Sequence, residues 1–256
     1  MAKQRADSVV SYILDEYTTD PTHISWRENM EISYQKTDSV LSGHVNGLTE
    51  RVGEEILYSW LRGVKPVKGG YTPEYIPSSR IFFTSGAAAG VNADDGQSGQ
   101  RLALHHRDLS KLQAKFNKDN IPATGRYIMI ESNMYQQLID SLSQNQMAAF
   151  QATADLKKGI LGTFAGFTLL QRGSVVAFNS KLEPLEVGQS LEKEDNLGTL
   201  AWQSDCVTKA IGATNFYTNI NDALYYGDVF SAGVKIGGRA RRQDWKGIAV
   251  ILQKTA

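Results

Sequence analysis

The chain of 256 residues is long enough for one large domain or two smaller units, each with a buried core. Its 27 Lys and Arg residues balance its 27 Asp and Glu residues, which disfavours a protein that grips nucleic acid tightly through charge. The single cysteine, Cys206, excludes an internal disulfide framework, and its apolar neighbours predict a small buried residue. The sequence indicates neither a membrane span nor a signal peptide, because it holds no long apolar run.

The first hundred residues predict one long helix between less regular segments. Residues 8–17 fit either a helical stripe or an alternating strand. The helix is expected from Asp38 or Gly43 to Leu61, because apolar residues recur there at intervals of three and four. Those apolar residues are Val45, Leu48, Val52, Ile56 and Leu57. Gly47 and Gly53 each weaken such a helix by about 1 kcal/mol relative to alanine, so we expect another backbone to approach them closely.

The rest of the chain predicts interspersed helices and strands without βαβ regularity, which is typical of the α+β class. Residues 64–100 are rich in Pro and Gly and predict loops, and Ser98 is interpreted as the N-cap of a following helix. The other predicted elements are a helix over 102–116, a strand over 127–130, a helix capped by Ser132, a hairpin of 167–170 with 175–178, an exposed acidic loop over 182–196, a helix or buried strand over 201–211, and strands over 229–242 and 248–252.

Several short motifs imitate catalytic or ligand sites, and each has a simpler structural interpretation. His106-Arg107-Asp108 resembles a kinase catalytic loop but lacks the Asn and the phosphate loop that the chemistry requires. The segment around Ser98 falls short of a nucleophile elbow, and the oxygen donors of 92–96 lack the alternation of a calcium loop. The pair His105 and His106 would point about 100° apart on a helix, which disfavours a shared metal. We therefore predict no catalytic, metal or cofactor residue, and expect Ser98, His106, Asp108 and Cys206 to tolerate alanine apart from effects on stability.

One group of charged residues remains a candidate site. Lys235, Arg239 and Arg241 are separated by even steps, so on an unbroken strand they would share one face. The opposite face would carry the apolar residues Val234, Ile236 and Ala240. This basic face would contact DNA or an acidic neighbouring surface such as residues 183–195, and the alternative is an ordinary solvated strand face.

Five segments of the second half occur in an order that resembles the major capsid proteins of tailed bacteriophages, the family with the HK97-type fold. The segments are Ile121–Ile130, Ser132–Asp140, Gly159–Gly162, Gly166–Leu170 and Tyr226–Arg242. The resemblance implies an α+β fold with a long spine helix, a peripheral domain and an axial domain. Residues 1–24 would be a remnant of the E-loop or N-terminal extension, 25–65 and 226–256 the peripheral domain, and 66–225 the axial domain. Residues 4–17 are similar to the returning strand of the E-loop, so an N-terminal arm and part of that loop would be lacking.

The resemblance also implies a function and a set of partners. The expected function is structural rather than enzymatic: hexamers and pentamers of the chain form an icosahedral shell around double-stranded DNA. The expected location is the virion, after assembly in the bacterial cytoplasm, and DNA would be contacted without sequence specificity. Separate scaffolding, portal and decoration proteins are further expected partners, and a membrane is not. The alternatives are an encapsulin-like shell that encloses cargo proteins and, from another class, a small hydrolase.

Overall fold

The computed structural model describes residues 14–31, 36–91 and 96–256. Strands β1 to β16 are, in chain order, Asp15–Thr18, Thr22–Ser25, Arg62–Val67, Gly70–Tyr75, Ile81–Phe83, Ala88–Gly90, Gln100–Leu102, Arg126–Glu131, Gly162–Phe164, Phe167–Arg172, Val176–Phe178, Asn196–Gln203, Val207–Ile211, Asn215–Asp222, Gly227–Ala240 and Ile248–Leu252. Helices α1 to α5 are Trp26–Glu31, Lys36–Ser59, His106–Lys118, Ser132–Asp140 and Gln144–Gln151. Helices and strands are interspersed as predicted, and the residues in 15–17 that fitted either structure are a strand, while 8–13 lie outside the described residues.

The chain divides into two compact units. The larger contains residues 57–208 and 239–256 among those described, and the smaller contains residues 14–56 and 209–238. The larger unit holds a seven-stranded sheet in the order β5-β16-β12-β8-β10-β9, with β11 also paired to β12. It also contains two two-stranded sheets, β3-β4 and β6-β7.

In the core of the larger unit, apolar residues of three helices pack with apolar residues at alternate positions of the sheet. Leu109, Leu112 and Phe116 recur at helical spacing on α3 and are fully buried. On β8, Ile128 and Ile130 are two residues apart and therefore point to the same face. The remaining buried members of this cluster include Met134 and Leu138 of α4, Phe150 of α5, Phe167 and Leu169 of β10, and Ala249 and Ile251 of β16.

The predicted hairpin of 167–170 with 175–178 is wrong. Strand β10 pairs in parallel with β8, at Leu169 opposite Ile128, whereas β11 pairs with β12. Parallel strands need a crossover connection, and α4 and α5 provide it between β8 and β10. Residues 171–174 thus end β10, and they do not bring β11 back to pair with it.

The loop prediction for 64–100 is also wrong, because β3 and β4 form a hairpin with Lys65 opposite Thr72. Pro66 and Pro73 suggested loops, yet each strand of a two-stranded ribbon has a free edge where a missing N–H costs nothing. The helix expected over 102–116 begins only at His106, since His105 is the N-cap and Leu102 belongs to β7. Ser98 therefore caps no helix.

The smaller unit is organised around β15, whose 14 residues are the centre of a five-stranded sheet. Strands β1 and β2 pair antiparallel with one edge of it, with Glu16 opposite Lys235 and Ile24 opposite Asp228. Strand β14 pairs antiparallel with the other edge, with Thr218 opposite Phe230, and β13 continues that edge. The strands predicted over 229–242 and 248–252 are confirmed as β15 and β16. Residues 201–211, predicted to be a helix or a buried strand, are strand apart from a short turn at 204–206.

The long predicted helix is confirmed as α2, but Gly47 does not behave as expected. Leu48, Ile56 and Leu57 are buried, whereas Val45 is 43% exposed. Gly47 is exposed, and a Cβ added there would meet nothing among the described residues within 4 Å. The expected close approach of another backbone at Gly47 is therefore wrong, because that residue lies on the outer face of the helix.

A glycine with no room for a side chain gives a test of this packing. Gly247 has φ +87°, and a Cβ there would lie 2.6 Å from Cys206 Cβ and against its Sγ. Gly69 has a similar φ of +96°, but a Cβ there meets nothing within 4 Å. We expect Gly69→Ala to cost about 1 kcal/mol through backbone strain and Gly247→Ala at least about 2 kcal/mol more, because steric overlap is added. Urea unfolding of the two variants measures the difference, and equal costs would contradict the described contact with Cys206.

The turn before β16 predicts a specific pH dependence. Burial alone would raise the pKa of Asp244, but hydrogen bonds from Arg242 and Lys246 outweigh it and lower that pKa from 3.8 to about 2. A lowered carboxyl pKa stabilises the folded state above about pH 4, and this contribution is lost as the pH falls towards 2. We expect Asp244→Asn to lower the melting temperature at pH 7 and to make little difference at pH 2. A deficit of the same size at both pH values would contradict the role of ionised Asp244.

Candidate assembly surface

The smaller unit carries a concentration of exposed apolar side chains on consecutive elements. These residues, defined here as the apolar edge, are Ile211, Phe216, Tyr217, Ile220, Leu224, Tyr225 and Tyr226. Their exposed fractions range from 48% for Phe216 to 82% for Tyr226. Single exposed apolar residues are normal on protein surfaces, but a contiguous group is typical of a surface that another macromolecule covers.

The apolar edge exists because β14 is the outermost strand of its sheet. Its register places Asn215 opposite Gly233 and Thr218 opposite Phe230, so β15 lies along one edge. Within the described parts of the chain, no other strand pairs with the opposite edge of β14. All residues from Asn215 to Asn221 are exposed, which means that neither face of the strand is covered.

A tight polar turn holds the tip of this hairpin in place. Asp222 accepts a hydrogen bond from Leu224 N at 2.7 Å, and Asp228 accepts one from Asn221 N at 2.9 Å. Asn221 and Tyr226 adopt left-handed backbone conformations, with φ of 56° and 51°. Because the polar groups of the turn are bonded internally, the side chains left pointing outward are those of Leu224, Tyr225 and Tyr226.

The glycine that follows this turn is required by the strand beside it. A Cβ on Gly227 would collide with the carbonyl oxygen of Ile24 and lie 2.8 Å from His23 Nε2. Only glycine allows β2 to reach β15 at this point. The His23 ring lies 5.9 Å from that of Tyr225, so the base of the turn is packed although its tip is exposed.

The three predicted basic residues are in different surroundings. Lys235 is in the smaller unit, exposed, and 3.5 Å from Glu16 across the strand pair. Arg241 is exposed in the larger unit, beyond the end of β15, and donates to Asp205 O at 3.3 Å. Arg239 is only 9% exposed. Val234, Ile236 and Ala240 are buried, as the alternation of the strand predicted.

Arg239 has a structural function within the larger unit. Its guanidinium lies against Gly63, where an added Cβ would be 3.1 Å from Nη2. It donates to Val64 O at 3.0 Å and forms an ion pair with Glu74 at 3.5 Å. Arg239 therefore joins the end of β15 to both strands of the β3-β4 hairpin.

The kinase-like motif is a helix cap. Asp108 is 1% exposed and forms a capping box with His105 at the start of α3. Its carboxylate also accepts hydrogen bonds from Ser85 Oγ at 2.6 Å and from Lys111 Nζ at 3.0 Å. These contacts fully occupy a carboxylate that would otherwise be free to act as a base.

The two adjacent histidines are closer together than predicted. Because His105 is the N-cap rather than a helical residue, its ring lies 4.1 Å from that of His106. Their Nδ1 atoms already have partners, since His105 Nδ1 accepts from Arg107 N and His106 Nδ1 lies 3.0 Å from Ser141 O. Burial, followed by the charges of His106 and Arg107, lowers the pKa of His105. In the described segments, no three His, Cys, Asp or Glu side chains lie together in a group that could hold a metal ion.

The remaining motif residues carry no recognisable chemistry where the structure describes them. Cys206 is buried, as predicted, and burial raises the pKa of its thiol. Ser98 borders a polar cleft whose lining residues include Arg101, Lys193 and Asn196 but neither His nor Cys. The possible calcium donors at 92–95 lie outside the described residues. No helix in the described part of the chain combines the length and the hydrophobicity needed to cross a bilayer.

The apolar edge was not predicted as a functional surface. A signal for it does exist in the sequence, because residues 210–221 contain no charged side chain and are followed by Leu224-Tyr225-Tyr226. Strands of soluble proteins usually carry charges on an exposed edge, so an uncharged aromatic strand beside an apolar turn is unusual.

Comparisons with known proteins identify the fold. No protein-family model and no curated protein match the chain. Among solved structures, a chain of the capsid of cyanophage P-SCSP1u matches with TM-score 0.59 and 13% identity, over 98% of this chain and 76% of its own length. A chain of the acid-stable capsid of Helicobacter pylori bacteriophage KHP30 matches with TM-score 0.58 and 9% identity, over 96% and 76%.

A structure of Mycobacterium phage Che8 gives a similar result, with TM-score 0.55 and 13% identity over 97% of this chain and 76% of the other. Agreement over almost the whole chain at such low identity reflects shared architecture. The chain therefore has the mixed helix and strand fold found in phage capsids, and the fold class expected from the sequence is confirmed at that level.

The structural role assigned to Asp108 can be tested directly. We expect Asp108→Ala to destabilise the protein by about 2–3 kcal/mol, because the helix cap and the donors of Ser85 and Lys111 lose a buried acceptor. Asp140→Ala, at the exposed end of α4, is the matched control and should change stability by less than about 0.5 kcal/mol. Thermal and urea unfolding measure both. An Asp108→Ala variant as stable as the control would contradict the capping role.

Proposed function

We propose that the chain is the structural subunit of an icosahedral phage shell that encloses double-stranded DNA. The observation that carries this proposal is the shared fold with phage capsid chains along 96–98% of the sequence. The apolar edge supports it independently, because a protein that functions in many copies needs surfaces that only neighbouring copies cover. Each contact can be modest, since every subunit is held by several neighbours at once.

The finer assignments belong to the same proposal. We assign α2 as the spine helix, 1–24 as a remnant of the E-loop or N-terminal extension, 25–65 and 226–256 as the peripheral domain, and 66–225 as the axial domain. One structural fact bears on these boundaries: β16 lies in the same sheet as β8 and β12, within the larger unit. This pairing supports grouping the last strand with 66–225.

The proposed partners follow from the shell. Copies of the chain would form hexamers and pentamers in the host cytoplasm and remain in the virion, with scaffolding, portal and decoration proteins as further partners. DNA contact would be non-specific and weak, in keeping with the balanced charge. Of the three predicted basic residues, Lys235 and Arg241 are exposed enough to reach DNA, whereas the buried guanidinium of Arg239 serves the β3-β4 hairpin.

An encapsulin-like shell is the second candidate, and it would use the same surfaces around a protein cargo. The contents of purified particles distinguish the two, because nuclease-protected DNA is expected for the first and cargo protein for the second. A mechanical function of either kind requires no covalent chemistry. The occupied carboxylate of Asp108 and the polar cleft at Ser98 give a hydrolase no recognisable nucleophile and base.

Assembly and the contribution of the apolar edge can be tested with two matched leucines. Leu224 is 77% exposed at the tip of the hairpin, and Leu156 is 78% exposed in the larger unit. We expect the wild-type protein to form rings or shells in negative-stain images and in light scattering, and Leu224→Asp to reduce assembly strongly because a charge enters a covered contact.

Leu156→Asp should assemble like the wild type, and neither variant should melt differently, since both side chains are exposed in the single subunit. A protein that remains monomeric over a wide range of concentration and salt, also when the N-terminal arm implied by the resemblance is supplied, would overturn the proposed function. If both variants assembled equally well, the apolar edge would have no role in the proposed assembly.

A further inference from the structure

Strand β14 lacks the features that normally keep an edge strand from pairing. Edge strands are usually protected by lysine, by proline or by a covering segment. Residues 210–221 contain no charged side chain and no proline, and no described segment covers the outer edge of β14. Phe216, Tyr217 and Ile220 are each about half exposed or more, on both faces of the strand. The edge is therefore available for backbone hydrogen bonds to another strand, with apolar side chains on either side.

The sequence of β14 is nearly symmetrical about Thr218. Reading outward from that residue, Tyr217 is matched by Asn219, Phe216 by Ile220 and Asn215 by Asn221. In an antiparallel pair, residues directly opposite each other lie on the same face. Two copies of β14 centred on Thr218 would therefore place Phe216 opposite Ile220 twice, with Thr218 opposite Thr218 between them.

These are the cross-strand pairs that stabilise antiparallel sheets. Aromatic residues opposite β-branched residues, and Thr opposite Thr, are among the favourable combinations. The uncharged strand also brings no like charges together. A shift of the register by one residue would place Phe216 opposite Asn219 or Asn221, so the apolar pairs would be lost.

The backbone limits the length of the pairing. The register of β14 on β15 is regular from Asn215 to Asn219 and shifts between Asn219 and Asp222, where Asn221 has φ 56°. The part of β14 with regular register is thus Asn215–Asn219, and Ile220 lies just beyond it. Thr218, the centre of the sequence symmetry, lies inside this regular part.

We propose that the partner of β14 is the β14 strand of a second copy, paired antiparallel edge to edge about a two-fold axis at Thr218. This inference rests on the proposed self-assembly and specifies one contact within it. The two five-stranded sheets would become one continuous sheet across the contact, and each copy would supply the same residues, as two-fold symmetry requires.

Cross-linking of single cysteine variants tests the axis. Thr218→Cys would face its own copy within the roughly 7 Å Cα separation that a disulfide allows. Asn215→Cys would lie about 20 Å from its own copy, six residues along the partner strand. Tyr217→Cys and Asn219→Cys would join each other in a mixture. The native Cys206 is buried in every variant.

Under mild oxidation at concentrations that favour association, we expect Thr218→Cys to form at least about five times more covalent dimer than Asn215→Cys on a non-reducing gel. The mixture of Tyr217→Cys with Asn219→Cys should give more mixed dimer than either gives alone with itself. Equal cross-linking of Thr218→Cys and Asn215→Cys, or no dimer from Thr218→Cys, would overturn the inference.

A charge at the axis is the second test. Thr218→Lys places two ammonium groups opposite each other and should weaken association about tenfold or more. Thr163→Lys, at an exposed position of β9 opposite Thr168, is the matched control and should associate like the wild type. Both variants should keep the wild-type melting temperature, which excludes misfolding as the cause.

The outcomes separate this inference from the proposed function. Shells that form without a Thr218→Cys cross-link, or despite Thr218→Lys, would leave the function in place and overturn the strand pairing. Cross-linked dimers in the absence of any larger assembly would support the pairing and overturn the shell. The absence of both would overturn both.

Discussion

The close approach of two strand pairs to β15 is the constraint on which the smaller unit depends. Both edges of β15 are occupied over most of its length, by β1 and β2 on one side and by β13 and β14 on the other. Gly227 and Gly233 make this possible, because a Cβ at Gly227 would collide with Ile24 O and one at Gly233 would press against Thr18. The two glycines thus allow β1 and β2 to occupy one side of β15, and β14 is the outer strand on the other side.

Charged residues that suggested chemistry in the sequence are used to connect elements of the fold. Asp108 ties Ser85 to the start of α3, and Arg239 ties the end of β15 to the β3-β4 hairpin. Both are nearly buried, and a buried charge is tolerated only where several partners satisfy it. These cross-connections hold short strands and loops that have little core of their own.

Sequence reasoning located the elements whose own periodicity defines them. Helix α2 and the strands β8, β15 and β16 follow from apolar spacing, and the class of fold follows from their order. Prediction from the sequence failed where the structure of a segment depends on pairing with another segment of the chain. Pro66 and Pro73 looked like loop residues until β3 and β4 were seen to pair only with each other, and the turn at 171–174 looked like a hairpin because the parallel partner of β10 lies forty residues upstream. The apolar edge was missed for a related reason. Alternation predicts which residues of a strand could be buried, but it does not show whether another segment of the same chain packs against them.

The positions of the paired strands in the sequence determine when, during synthesis, the sheet of the smaller unit can form. Asp15 to Thr18 pair with Gly233 to Ile236, so the partner of the first described strand lies more than two hundred residues later in the sequence. During synthesis, the sheet cannot close until the residues up to Ile236 have left the ribosome, whereas most of the larger unit has already emerged. In the proposed pairing between copies, this late stage would leave β14 little opportunity to join nascent chains on neighbouring ribosomes. The long separation between β1 and β15 would thus delay contact between copies until Ile236 has been made.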